Sequence, residues 1–219
     1  MRTAVSMFLL VVIALSPALA DDAPRILVVG DSLSAAYGID KQRGWVALLQ
    51  QRLADNGTAW RVVNASITGD TTRGGLARLP AALTRERPQV LIIELGGNDG
   101  LRALPPAQTQ ANLADMIDLG RAAGARVLLL GVRLPENYGK SFGEKFHRVY
   151  RELALDKDVA LVPFFLEGVA ETRALMQADG IHPGVDAQPR ILDNVWQALE
   201  PLLRTPASAA SIARGQARG

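Results

Sequence analysis

The chain has 219 residues, of which 48% are hydrophobic and 21% charged, a size and composition typical of one globular domain. Its 24 basic and 22 acidic residues nearly balance and form no basic cluster, which argues against a nucleic-acid partner. The even spread of apolar residues argues against a multispan membrane protein, and the absence of cysteine excludes disulfides and lipid attachment through a thiol.

The first 20 residues predict a cleaved export signal. A positively charged start precedes an apolar stretch, 4–15, that is short for a membrane span, and Ala18-Leu19-Ala20 is typical of a signal cleavage site. We therefore expect cleavage after Ala20 and a periplasmic or secreted protein; the alternative is an uncleaved anchor. The segment 205–219 has no pattern that buries a face and is expected to be disordered, which leaves 21–204 as the folded domain.

Aliphatic runs alternate with segments of helical periodicity along this domain. Five runs predict strands buried on both faces: 26–29, 60–63, 90–93, 127–130 and 160–162. Five longer segments predict helices: 45–54, 75–85, 109–123, 141–154 and 187–203. The alternation predicts right-handed βαβ units and an α/β fold, a three-layer α/β/α sandwich of flavodoxin-like type with a five-stranded parallel sheet. The strand order 2-1-3-4-5 is favoured because it opens a crevice at the carboxyl ends of the first and third strands.

Polar, glycine-bearing turns follow the first three predicted strands. They are Gly30-Asp31-Ser32-Leu33-Ser34, the 64–70 segment with Gly69, and Gly96-Gly97-Asn98-Asp99. Ligands bind at the carboxyl edge of an open parallel sheet, so these turns should converge in space. Each has a simpler interpretation on its own: Asp31 and Ser32 as helix caps, Gly69 as a loop glycine, and Asn98 as a turn residue.

A serine is a weak nucleophile until a base removes its proton, and the sequence holds two histidines, His147 and His182. Asp179 precedes His182 by three residues, so its carboxylate can bond the imidazole Nδ1 and leave Nε2 facing Ser32. His147 lies in an amphipathic segment, where a surface histidine is the default. The pattern favours Ser32, Asp179 and His182 as the catalytic residues; the alternative is a helix N-terminal Asp179 beside an incidental histidine.

Together these motifs resemble the SGNH hydrolases, also called GDSL esterases, and the resemblance extends over about 25–203. It implies that Ser32 is the nucleophile, that His182 is the base oriented by Asp179, and that the oxyanion hole consists of the Ser32 and Gly69 N–H groups with the Asn98 side chain. The G-x-S-x-G elbow of the α/β-hydrolases is absent, because Ser34 occupies the place of its second glycine.

Further stretches are similar to the branch of the family that hydrolyses long-chain acyl-CoA thioesters, lysophospholipids and aryl esters: 44–49, 75–80, 94–102, 133–139 and 176–183. This resemblance implies an esterase, thioesterase and lysophospholipase. It also implies an apolar acyl site, for which the predicted residues are Leu76, Leu79, Arg133, Leu134 and Pro135. The alternative is that the leucines only pack beneath the loops.

The expected partner is a small acyl ester or thioester, without nucleic acid, stable membrane insertion or a second subunit. We expect no cofactor and no metal, because one of the two histidines is assigned to the catalytic set. Two other functions stay open: a carbohydrate deacetylase with the same catalytic residues, and an inactive α/β module that binds lipid.

Overall fold

Strands and helices alternate along residues 23–204, the part of the chain that the structure, a computed structural model, describes. The predicted signal segment, 1–20, and the predicted disordered tail, 205–219, lie outside the described residues. The cleavage site and the domain boundaries therefore stay predictions.

Five parallel strands form one sheet: β1 Arg25–Gly30, β2 Arg61–Asn64, β3 Val90–Glu94, β4 Arg126–Leu130 and β5 Ala160–Val162. Their order is β2-β1-β3-β4-β5, which confirms the predicted topology. The register pairs Val28 with Asn64 and Gly30 with Glu94, so the turns that follow β1, β2 and β3 leave the sheet at one edge.

Within residues 23–204, six α-helices connect or follow the strands: α1 Trp45–Asp55, α2 Thr72–Glu86, α3 Gly97–Leu101, α4 Pro106–Ala122, α5 Lys140–Asp156 and α6 Gln188–Arg204. Short 3₁₀ helices occur at Lys41–Arg43, Glu136–Tyr138, Arg173–Leu175 and Val185–Ala187. Helix α3 lies in a segment that the sequence predicted as a turn. Within residues 23–204 no helix is both long and apolar enough to cross a bilayer.

The sheet separates two apolar layers, because successive side chains of a strand point to opposite faces. Ile26 and Val28 of β1 pack with α1 and α6, whereas Leu27 and Val29 pack with α2, α4 and α5. The prediction that every strand is buried on both faces is wrong for the two edge strands: β2 has half-buried or exposed residues, and two of the three residues of β5 are half-buried. Their place at the edges of the sheet explains this exposure.

Candidate active site

The predicted nucleophile lies in a tight turn at the carboxyl end of β1. The Ala35 N–H donates to the Asp31 carbonyl at 2.9 Å and the Tyr37 N–H to the Ser32 carbonyl at 3.1 Å. The Leu33 N–H donates to the Asp31 carboxylate at 3.1 Å, so Asp31 caps this turn, which does not continue into a helix. The turn places Ser32 at the edge of the sheet with 8% of its surface exposed.

A second loop carries Asp179 and His182 to the same place. The His182 Nε2 atom lies 2.9 Å from Ser32 Oγ, and its Nδ1 lies 2.7 Å from Asp179 Oδ2. A carboxylate can only accept, so Nδ1 carries the proton and Nε2 presents its lone pair to the serine. The other oxygen, Asp179 Oδ1, accepts from the His182 and Ile181 N–H groups at 3.0 and 2.9 Å. The hydrogen bonds from the His182 backbone and ring, and from the Ile181 backbone, lower the pKa of Asp179 to about 2.

Side chains that the sequence analysis did not single out hold this histidine loop. The Gln177 side-chain amide donates to the Tyr37 carbonyl at 2.8 Å and to the Pro183 carbonyl at 3.0 Å. The Tyr37 ring centroid lies 4.4 Å from that of His182. The Arg173 guanidinium donates to three carbonyls of 176–178. The serine turn and the histidine loop thus contact each other directly through hydrogen bonds, although they are about 150 residues apart in the sequence.

The two predicted oxyanion donors outside the serine turn occupy the neighbouring loops. Gly69 has a positive φ of 79°, a conformation that glycine adopts without strain, and nothing lies within 4 Å of where a Cβ would stand. Asn98 is the second residue of α3, and its Nδ2 donates to Asp31 Oδ2 at 3.0 Å. One Asn98 N–H is thereby engaged, and the second stays available for a ligand.

Asp99, next to Asn98 in α3, and Arg102, at the end of this helix, form hydrogen bonds with the segment that follows β2. Asp99 accepts at Oδ2 from the Thr72 N–H, at 2.9 Å, and at Oδ1 from the Thr72 hydroxyl. Arg102 donates from Nη2 to the Gly69 carbonyl at 3.1 Å and so orients that segment. No sequence pattern predicts either contact, because the partners are about 30 residues apart.

Two buried carboxyl groups lie in or against the turn that carries the predicted nucleophile. Asp31 is 1% exposed and Glu94, the last residue of β3, is fully buried. Burial raises the pKa of Asp31 to about 6, against the hydrogen bonds from Leu33 and Asn98 that lower it. Burial, and then the charge of Asp31, hold the pKa of Glu94 well above its ordinary value. The sequence predicts only a capping role for Asp31, and no motif chemistry indicates Glu94.

The five predicted acyl-site residues have different environments. Leu79 is fully buried in the layer between α2 and the sheet, so its prediction as a substrate contact is corrected: its packing position leaves no surface for a ligand. Leu76 and Leu134 are half-buried against the same layer. Arg133 stacks over Phe164, with its guanidinium carbon 4.7 Å from the ring centroid, and Pro135 is exposed. Leu134 also contacts Gly100 of α3, which places it near Asn98.

The other histidine of the sequence, His147, is bonded to a backbone carbonyl rather than to the serine turn. His147 on α5 has its Nδ1 3.2 Å from the Val132 carbonyl, and burial lowers its pKa.

A groove of about 450 Å³ lies beside the serine turn, between α1 and β2, and none of the five predicted acyl-site residues lines it. Residues 23–204 contain no group of three or more His, Cys, Asp or Glu side chains arranged to hold a metal ion.

Comparison with known proteins identifies the family to which the chain belongs. Residues 28–188 match the GDSL-like Lipase/Acylhydrolase family. The chain is 62% identical to Esterase TesA of Pseudomonas aeruginosa over 181 residues, which are 83% of this chain and 90% of that protein. It is 46% identical to thioesterase 1/protease 1/lysophospholipase L1 of Escherichia coli over 181 residues, 83% of this chain and 86% of that one. A crystal structure of TesA superimposes with a TM-score of 0.80 and covers 81% of this chain and 99% of its own. The chain therefore belongs to the GDSL-like lipase/acylhydrolase family, the SGNH hydrolases, and is a carboxylic ester hydrolase.

Proposed function

We propose that this protein cleaves ester and thioester bonds of acyl substrates through an acyl-enzyme formed on Ser32. This proposal rests on two consecutive contacts. Asp179 Oδ2 lies 2.7 Å from His182 Nδ1, and His182 Nε2 lies 2.9 Å from Ser32 Oγ. The arrangement supports a nucleophile, its base and the group that orients the base.

In the first half of the reaction, His182 Nε2 takes the Ser32 proton as Oγ attacks the acyl carbonyl carbon. The carbonyl oxygen becomes an oxyanion, and the carbon–oxygen or carbon–sulfur bond breaks as the imidazolium gives its proton to the leaving alcohol or thiol. In the second half, His182 deprotonates a water that attacks the acyl-enzyme, and the Ser32 oxygen recovers the proton when the acid is released. Asp179 stabilises the imidazolium in both halves.

The oxyanion would be bound by the N–H groups of Ser32 and Gly69 and by the free N–H of the Asn98 side chain. In residues 23–204 the Gly69 N–H has no acceptor, and the second Asn98 N–H is likewise unengaged. Donors fixed before the charge develops stabilise the transition state without a cost of reorganisation.

The surface around Ser32 favours an apolar acyl substrate over a sugar ester. Four large hydrophobic side chains are exposed within residues 23–204, and three of them, Tyr37, Ile67 and Ile181, belong to the loops around Ser32 and His182. The half-buried Leu76 and Leu134 add apolar surface near α3. The relatives named thioesterase, lysophospholipase and esterase support the same substrate classes.

A series of p-nitrophenyl esters of increasing acyl length, together with an acyl-CoA and a lysophospholipid, tests this proposal. We expect hydrolysis of all three classes, with kcat/KM increasing from acetyl to longer chains. Cleavage of acetyl esters alone would indicate a deacetylase, and no turnover would indicate a binding module. A phosphonate ester should add to Ser32, as located by mass spectrometry of the labelled peptide, and Ser32→Ala protein should stay unlabelled.

We further propose export to the periplasm or the medium, which rests on the apolar stretch 4–15 and on Ala18-Leu19-Ala20. N-terminal sequencing of the protein from a cell fractionation should give a mature start at Asp21. A start at Met1 in the membrane fraction would instead support an uncleaved anchor.

A further inference from the structure

The proposed mechanism assigns no role to Glu94, a buried carboxyl group next to the serine turn. Glu94 is fully buried at the carboxyl end of β3 and pairs in register with Gly30 of β1. Its Oε2 accepts from the Ser34 hydroxyl at 2.7 Å and from the Asp31 N–H at 3.3 Å. Its Oε1 is shielded from solvent and has no hydrogen-bond donor among the described residues. Burying an ionised carboxylate with one unpaired oxygen costs folding free energy, so an ionised Glu94 is disfavoured at this position.

Glu94 also accounts for the glycine that begins the serine motif. A Cβ at position 30 would stand 2.8 Å from Glu94 Oε2 and equally close to Ser34 Oγ. Such an approach is too short for a carbon atom, so a larger residue at Gly30 would displace the carboxyl or the turn. The serine turn is thus built directly on the Glu94 carboxyl group.

The Asp31 N–H reaches Glu94 Oε2 at 3.3 Å, and interaction with the Asp31 side chain contributes to the raised pKa of Glu94. Two carboxyl groups can bond to each other only when one of them holds a proton. Asp31 receives donors at both oxygens, from the Leu33 N–H and from Asn98 Nδ2, which favours its charged form. Glu94 has an oxygen without a donor, which favours the neutral form. Its pKa, raised by burial and by Asp31, agrees with this assignment.

We propose that Glu94 is a positioning residue whose neutral carboxyl group donates its proton to Asp31 and thereby fixes the Asp31 oxygen that holds the Asn98 amide. The inference rests on the proposed oxyanion hole, since Asn98 is the group that finally contacts the substrate. Asp31 Oδ2 accepts from Asn98 Nδ2, so the amide nitrogen rather than the amide oxygen is held at this end of the side chain. A carboxyl group at Glu94 that lost its proton would repel Asp31 and loosen this bond.

Other ionisable groups face the pair and leave the assignment intact. The charge of His182 lowers the pKa of Asp31 and that of Asp70 raises it, but Asp70 is paired with Arg78 at 2.8 Å. Tyr150 is fully buried, and its hydroxyl donates to the Leu95 carbonyl at 2.9 Å. Asp99 is occupied by Thr72.

The test compares Glu94→Gln, Glu94→Leu and the control Ser34→Ala. Gln places an N–H where the carboxyl group has its proton, so we expect kcat within about threefold of wild type. Leu offers no donor, and we expect kcat to decrease by about tenfold to a hundredfold with little change in KM. This decrease in kcat should not exceed the decrease caused by removing an oxyanion donor itself. Ser34→Ala removes the other contact of Glu94 and should stay within about threefold of wild type.

The double variant Glu94→Leu/Asn98→Ala separates positioning from a general structural role. If Glu94 acts through Asn98, the double variant should have the kcat of Asn98→Ala within about twofold; multiplied losses would overturn the proposal. Equal losses for Glu94→Gln and Glu94→Leu would also overturn it, because the neutral donor would then be irrelevant. If Asn98→Ala alone has wild-type kcat, the oxyanion hole is wrong rather than Glu94 alone.

A measurement on the unmodified protein decides the question even if Glu94→Leu does not fold. Carbon-13 NMR of the glutamate carboxyl groups reports protonation directly, and Glu94→Gln assigns the signal by its loss. We expect Glu94 to keep the chemical shift of a protonated carboxyl group at pH 8. The shift of an ionised group at that pH would overturn the proposal.

Discussion

Removal of the Asn98 side chain tests the proposed oxyanion hole most directly. Asn98→Ala leaves the N–H groups of Ser32 and Gly69 but deletes the one side-chain donor. The loss of a single oxyanion donor costs a factor of about 10²–10³ in kcat, or roughly 3–4 kcal/mol in the activation barrier. We expect KM to change much less, because a donor aimed at the tetrahedral oxyanion bonds the ground-state carbonyl less well.

The same substitution also affects stability, because Asn98 Nδ2 donates to the buried Asp31 at 3.0 Å. Leaving a buried acceptor without its donor costs about 1–3 kcal/mol of unfolding free energy. A lower melting temperature is therefore expected for either role of Asn98 and does not distinguish them. The discriminating quantity is kcat, measured under conditions in which the variant is fully folded.

Asn194 provides a matched control for this experiment. Its amide donates to the Phe165 and Glu167 carbonyls, at 3.1 and 2.9 Å, in a purely structural contact. Asn194→Ala should lower the melting temperature and leave kcat close to wild type. A loss of tenfold or less in kcat for Asn98→Ala, with a melting temperature like that of Asn194→Ala, would refute the oxyanion role.

Three further predictions concern the catalytic residues and Asp31. Ser32→Ala and His182→Ala should each abolish hydrolysis of p-nitrophenyl esters with the fold intact by circular dichroism, whereas His147→Ala should be nearly silent; substantial turnover by Ser32→Ala would exclude it as nucleophile. The kcat/KM value should increase with pH, because a histidine base must be neutral to accept the Ser32 proton, whereas Asp179, with its pKa lowered to about 2, stays ionised; a flat profile argues against a histidine base. Burial raises the pKa of Asp31 from 3.8 to about 6, so the folded state binds its proton more tightly than the unfolded state and stability decreases with rising pH between these values. Asp31→Asn should remove up to about 3 kcal/mol of this pH dependence in denaturant titrations at pH 4 and pH 7, and parallel stability curves for variant and wild type would contradict the reasoning.

The fold could be predicted because each strand coincides with a short aliphatic run in the sequence. The runs in β1, β3 and β4 are continuously aliphatic, and their length and separation leave a parallel sheet as the natural solution. The exposure of β2 could not be predicted from its run, since a strand's place at the edge depends on the topology rather than on its residues. Helix α3 was missed because its five residues, with two glycines, carry no helical periodicity.

The structure brings together side chains that the sequence predicts for the catalytic site, whereas the residues that hold them could not be predicted. Ser32, Asn98 and the Asp179–His182 pair stand in short motifs with a recognisable chemistry. Glu94 is the last residue of an otherwise aliphatic strand, and its partner Asp31 is 63 residues away. Leu79 was misassigned because a helix that begins at the edge of a site turns some of its apolar residues to the sheet rather than to the ligand.

The contacts around α3 explain how three loops can form one rigid set of donors. Asn98 is bonded to the β1 turn through Asp31, and Asp99 is bonded to the start of α2 through Thr72. Arg102, at the end of the helix, bonds the Gly69 carbonyl and so fixes the peptide of the β2 loop. All three contacts begin within five consecutive residues, and each ends on a different part of the site. Because an oxyanion hole acts only if its donors are aligned before the charge develops, we propose that this short helix serves catalysis through geometry as well as through Asn98.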